Sequence, residues 1–86
     1  MSTTEIRKAI DDGKAILGAK RTMKLLRQGK LKQVYLTSNV SDHVRDDIEH
    51  LCTISNVQID TIEMTNKELG VLCKRPFVVS VLSVTQ

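Results

Sequence analysis

The chain has 86 residues, which gives room for a single domain over positions 1–86 with one hydrophobic core and no second unit. Its composition is globular, 41% hydrophobic and 27% charged, and the net charge is only +3. No stretch approaches the ~18 apolar residues of a membrane span. Met1-Ser2-Thr3-Thr4 opens without an apolar run, so no signal peptide is expected. Two cysteines, Cys52 and Cys73, are too few for a disulfide scaffold and are not spaced for a metal. They read as small buried hydrophobes in a reducing compartment.

In chain order, Ser2-x-x-Glu5 has the form of a capping box and opens a helix to about Asp12, with Ile6, Ala9 and Ile10 on one face. Gly13 ends it, and Ala15-Ile16-Leu17 reads as a short buried strand. Ala19, Met23 and Leu26 set a helical period over 19–28, which Gly29 stops. Val34-Tyr35-Leu36 is the next strand. Ser41 or Asp42 then caps a long helix with Val44, Ile48, Leu51 and Cys52 as its apolar stripe. Val57, Ile59 and Ile62 alternate with polar residues as in a half-exposed strand. Thr65-x-x-Glu68 is a second capping box, starting a short helix with Leu69, Leu72 and Cys73 inward. After Pro76, the run Phe77–Leu82 reads as a strand buried on both faces. The alternation α-β-α-β-α-β-α-β, with short connections, predicts an α/β fold with helices on both faces of a sheet.

The charges are unevenly placed. Between Asp12 and Asp42 there is no acidic residue, while the interval holds seven of the thirteen basic ones: Lys14, Lys20, Arg21, Lys24, Arg27, Lys30 and Lys32. Cations without interleaved carboxylates suit a polyanion, and nucleic acid is the commonest. Gly18-Ala19-Lys20-Arg21-Thr22-Met23-Lys24 stands at a strand-to-helix junction, where free first-turn N–H groups suit a phosphate. Lys20, Lys24 and Arg27 fall at i, i+4 and i+7. The ordinary fate of such a run is a solvated face, but here the face lacks acids. Glycine-rich nucleotide motifs are absent.

Asn39, in Thr37-Ser38-Asn39, can donate and accept at once, as base-edge recognition requires, or serve only its own turn. Phe77, beside Lys74 and Arg75, can stack on a base or be a core residue at a strand start. Tyr35 and Phe77 are too few for sequence-blind single-strand binding, which uses several stacking platforms. A folded RNA read by shape and a few unpaired bases fits better. No nucleophile–base–orienter set is evident: His43 and His50 read as solvent-facing, and the adjacent Asp46 and Asp47 point apart. No enzyme activity, cofactor or metal is expected.

Taken together, Leu17-Gly18-Ala19-Lys20-Arg21-Thr22, Leu26-Arg27-Gln28-Gly29-Lys30, Ser38-Asn39, and Asn66-Lys67-Glu68-Leu69-Gly70 followed by Arg75-Pro76-Phe77 resemble the ribosomal protein L-thirty-e family. That family belongs to the kink-turn-binding L-seven-Ae superfamily, and the resemblance runs from about Glu5 to Thr85. It implies a three-layer α/β/α sandwich around a mixed four-stranded sheet. It also implies three loops converging on a kink-turn, a sharply bent RNA. Carried over by motif, the RNA-binding residues are Gly18, Lys20 and Arg21, then Asn39, then Thr65 or Asn66, with Arg75 and Phe77 beyond. The family often has glycine where Lys74 stands, and some members have a cation where this chain has Val78. General kink-turn binders carry an Asn-Glu pair in place of Lys20-Arg21, which favours the ribosomal branch.

The expected function is therefore that of a structural constituent of the large ribosomal subunit. Its partners would be ribosomal RNA at a kink-turn and other ribosomal proteins, in the cytoplasm on the ribosome, and the protein would be a monomer when free. Lys24 and Arg27 add phosphate contacts to this set. The alternatives are a kink-turn binder outside the ribosome, such as an autoregulator of its own message, or an adaptor of the same fold that has lost RNA binding. An adaptor would dock through the helix bearing Asp42, Asp46, Asp47 and Glu49.

Overall fold

The computed structural model describes residues 2–85, with side chains over 4–85. Eight elements alternate as expected: α1 Ser2–Asp11, β1 Ala15–Leu17, α2 Ala19–Arg27, β2 Leu31–Leu36, α3 Asp42–Ser55, β3 Gln58–Thr61, α4 Asn66–Leu72 and β4 Val81–Thr85. The expected cap by Ser2 falls on a side chain outside those described. The strands form a sheet in the order β1-β4-β2-β3. β4 pairs antiparallel with β1 and with β2, and β3 pairs parallel with β2, so the sheet is mixed.

Successive strand residues point to opposite faces, and the apolar side chains divide accordingly. On one face Val34, Leu36 and Val81 pack with Leu26 of α2 and with Ile48 and Cys52 of α3. On the other, Tyr35 and Leu82 pack with Ile6 of α1 and Leu69 of α4. The result is the three-layer α/β/α sandwich. Leu31 and Val34 share a face despite their odd separation because β2 carries one extra residue between Leu31 and Gln33 where it pairs with β4.

Polar ties fix the helices to this frame. Thr22, fully buried in α2, meets Ser83 of β4 at 3.0 Å between hydroxyls. Ser55 Oγ of α3 donates to the Leu26 carbonyl at the end of α2, 2.9 Å. Tyr35 donates its hydroxyl to Glu5 Oε2 of α1 at 2.7 Å. Burial, and then the Glu5 carboxylate, hold that phenol protonated far above its ordinary range.

Three helices end in the same way, with the backbone N–H of the first residue past the cap bonded to the carbonyl of the second-last helical residue and that of the next bonded one residue further back. In α1 these are Gly13 to Ile10 and Lys14 to Ala9; in α2, Gly29 to Leu26 and Lys30 to Leu25; in α4, Lys74 to Val71 and Arg75 to Gly70. The motif needs a left-handed residue at its first position, which Gly13 (φ 72°) and Gly29 (φ 68°) supply without a Cβ clash. In α4 the position is held by Lys74 at φ 57°. A side chain there costs roughly 1–2 kcal/mol relative to glycine.

The last strand departs from the sequence reading. Phe77 and Val78 are not a strand buried on both faces; they lie in the connection 73–80 and are 57% and 54% exposed. β4 begins only at Val81. The connection is held on α4 instead, with the Val79 N–H bonded to the Asn66 carbonyl at 3.0 Å and the Val79 side chain buried. Gly70, buried in mid-helix, makes this possible: a Cβ there would strike the Phe77 carbonyl.

Gly70→Ala is expected to destabilise the protein by about 1–3 kcal/mol, as overpacking against backbone does, measured by urea unfolding. Both cysteines are buried and free. Burial pushes the Cys52 thiol up to about 11, with the nearby Glu49 adding to it, and burial also raises Cys73. At pH 8 both stay protonated, so neither should be alkylated by iodoacetamide until the chain is unfolded.

Candidate nucleic-acid interface

Because β1 and β2 both run against β4 while β3 runs with β2, the three strands share one direction and their C-terminal ends emerge at one edge of the sheet. That edge is laced together by backbone hydrogen bonds. Gly18 donates to the Val81 carbonyl (2.8 Å), Thr37 to Ser80 (3.1 Å) and Ser38 to Met64 (2.8 Å). Gly18, Asn39, Thr65, Asn66 and the loop bearing Arg75 and Phe77 are thereby brought to a common rim, although they lie far apart in sequence.

The first loop is one residue long. Gly18 follows β1 and caps α2 at φ 105° and ψ 148°, a conformation that side-chain-bearing residues rarely adopt, and the space beside it is open. No side chain caps α2, and its first turn has no acidic residue. By contrast, α3 has the Ser41 cap with Asp42, and α4 has the Thr65–Glu68 capping box. Lys20 and Arg21 instead occupy the first turn of α2, both exposed. Cations at the positive end of a helix dipole are unfavourable without an anion. Lys24 and Arg27 are exposed further along the helix. At 1.5 Å per residue Arg27 lies roughly 13 Å from Gly18, so it flanks the rim without belonging to it.

The second and third loops are tied to each other. Asn39 Oδ1 accepts the Asn66 backbone N–H at 2.9 Å, and Asn39 Nδ2 donates to Asn66 Oδ1 at 3.1 Å. Asn39 thus caps the first turn of α4 from across the rim, a contact that sequence spacing alone does not reveal. It keeps one amide hydrogen and one carbonyl lone pair for another partner. The Thr65 hydroxyl accepts the Glu68 N–H at 3.2 Å while Glu68 Oε1 accepts the Thr65 N–H at 3.0 Å, so Thr65 is engaged in capping. Arg75 and Phe77 are exposed beyond the end of α4. The sequence reading missed Ser38, whose hydroxyl donates to the Met64 carbonyl at 3.2 Å, and Gly70, which seats the connection 73–80.

The remaining surface offers other chemistry less support. His43 and His50 are exposed, His43 pairing with Asp47 at 3.6 Å. A groove of about 610 Å³ lies against α1 at the opposite end of β2, with Lys8, Lys14 and Lys32 balanced by Glu5, Asp12 and Asp60. No described helix is long and apolar enough to cross a membrane.

Asn39→Ala is expected to lower stability by about 1 kcal/mol in urea unfolding, the usual worth of such hydrogen bonds. Asn39→Asp, which keeps the acceptor for the Asn66 N–H at a helix start, should lose less.

The family model for the ribosomal protein L7Ae/L30e/S12e/Gadd45 family matches residues 2–86. The large ribosomal subunit protein eL30 of Methanothermobacter thermautotrophicus is 43% identical over 77 residues, covering 90% of this chain and 79% of that protein. That of Trypanosoma brucei brucei is 37% identical over 82 residues, covering 95% and 78%. Both are named as ribosomal proteins and neither by an enzymatic activity, in keeping with a non-enzymatic chain. Among solved structures, a protein of unknown function from Bacillus halodurans C superposes with a TM-score of 0.86 at 15% identity, covering 98% of this chain and 83% of that one. A 15.5kD RNA binding protein of Giardia lamblia gives 0.78 at 18% identity, with 94% and 68% covered. Both share the fold. With the family model spanning nearly every residue, the chain belongs to the ribosomal protein L7Ae/L30e/S12e/Gadd45 family.

Proposed function

We propose that this protein is a structural RNA-binding component of the large ribosomal subunit, and that its rim of three loops holds a kink-turn. The observation that carries the reading is the start of α2, which lacks a side-chain cap and a first-turn acid and carries Lys20 and Arg21 instead. A phosphate placed there would accept first-turn N–H groups, meet the positive end of the dipole and neutralise two cations at once. The eL30 relatives support the ribosomal setting.

In this reading Gly18 leaves the backbone open to close approach, and Lys20, Arg21, Lys24 and Arg27 follow the phosphates. Such contacts fix position and supply affinity, whereas contacts to base edges supply selectivity. Asn39 has the spare donor and acceptor for a base edge, and the exposed face of Phe77 is free to stack on an unpaired base. Arg75 adds a charge beside it, while Thr65 and Asn66 hold the third loop in place. The protein would act as a monomer when free, on cytoplasmic ribosomes beside other ribosomal proteins. An adaptor docking through Asp42, Asp46, Asp47 and Glu49 leaves the acid-free stretch between Asp12 and Asp42 unexplained.

Lys20→Ala should weaken binding to a kink-turn RNA without changing the unfolding midpoint. If four to six phosphates are contacted, wild-type affinity should fall by about 10²–10³-fold between ~50 and ~200 mM salt. Filter binding of the kink-turn beside a straight duplex of equal length checks both; equal, salt-insensitive affinities would contradict the proposal.

A further inference from the structure

We infer that Lys74, in the connection between α4 and β4, is an RNA-phosphate contact retained against a conformational penalty. The inference rests on the RNA-binding reading and adds to it a residue outside the rim set assembled above.

The chain supplies its own control. α1, α2 and α4 finish with the same pair of backbone hydrogen bonds, and in the first two the left-handed position is glycine. In α4 it is a lysine, at φ 57°; the other described left-handed residue with a side chain is Asn56 at the end of α3, and asparagine, unlike lysine, is a type that visits this conformation readily. Among the described residues nothing inside the protein compensates for this choice: the Lys74 side chain is exposed and no carboxylate pairs with it. Nor can the backbone relax elsewhere. The Arg75 N–H is bonded to the Gly70 carbonyl at 3.0 Å, and Gly70 admits the Phe77 carbonyl where any Cβ would strike it. Lys74 is therefore fixed at the hinge between α4 and the loop that presents Arg75 and Phe77.

Its surroundings select the partner. After Glu68 there is no acidic residue through Gln86. Lys74 stands with Arg75 in this second acid-free stretch of the chain, just past the end of α4 and at the start of the connection that carries Phe77. A bent nucleic acid has backbone on both sides of its bend, and the cations at the start of α2 and those after α4 suit two separate segments of it. The Lys74 ammonium is a compact point charge suited to one phosphate oxygen.

The test uses wild type, Lys74→Gly and Lys74→Arg, with thermal unfolding and kink-turn RNA binding measured from ~50 to ~200 mM KCl. Lys74→Gly should raise Tm by about 4–8 °C, because it removes the left-handed penalty. It should nevertheless bind RNA more weakly, with a log affinity–log salt slope shallower by about one, so that its deficit shrinks by about threefold across that range. Lys74→Arg should restore the slope without raising Tm. A Lys74→Gly protein that is more stable and binds RNA with unchanged affinity and slope would overturn the inference and leave the RNA-binding reading intact. Failure of the wild type to bind the RNA would overturn both.

Discussion

Strand β4 lies between β1 and β2 and runs against both of them. Since β3 is parallel to β2, this placement gives β1, β2 and β3 one common direction. Every loop that leaves one of those strands for a helix then emerges at the same edge of the sheet, and the segment leading into β4 returns to that edge as well. The backbone bonds from Gly18 to Val81 and from Thr37 to Ser80 anchor the first two loops to the start of β4 itself. A rim assembled from residues 18 to 77 of the chain is thus a consequence of strand order. The two hydrophobic clusters, one on each face, hold the sheet that maintains it.

On that rim the helices differ in how their first turns are satisfied. α3 and α4 use a hydroxyl cap and an acidic residue, and α4 gains a further acceptor from Asn39. α2 has neither device and places Lys20 and Arg21 at its positive end. Its position depends on buried contacts further in, on Leu26 and on the Thr22–Ser83 hydroxyl pair. A helix start left locally unfavourable while the rest of the helix is well anchored is a common trade between stability and function. An anionic ligand would resolve it, and this is the role that the proposed RNA binding gives to the arrangement.

The features legible from sequence were those with a local cause. The capping box at Thr65–Glu68 and the Ser41 cap are set by residues three apart, and both are present in the structure. The order of elements followed from hydrophobic periodicity, and the exposure of Lys20, Arg21, Lys24 and Arg27 followed from charge. Non-local causes were not legible. The apolar run from Phe77 reads as a strand, but the close approach permitted by Gly70 holds its first part on α4 and exposes it. Thr22 falls between Ala19 and Leu26 on the apolar face of α2, but its buried hydroxyl partner, Ser83, lies 61 residues away and cannot be read from spacing. Asn39 reads as a turn or a ligand contact, and its tie to Asn66 depends on two loops meeting. The extra residue in β2 that turns Leu31 inward is likewise set by pairing with β4.

The account rests on the first-turn amides of α2 being the groups that receive a phosphate. Amide hydrogen exchange of Ala19, Lys20 and Arg21, followed by NMR with and without a kink-turn RNA, addresses this directly. Free amides at an uncapped helix start should exchange rapidly in the isolated protein and slow markedly in the complex. Protection confined to the outer face of α3, with the α2 start still exchanging freely when RNA is bound, would contradict the account.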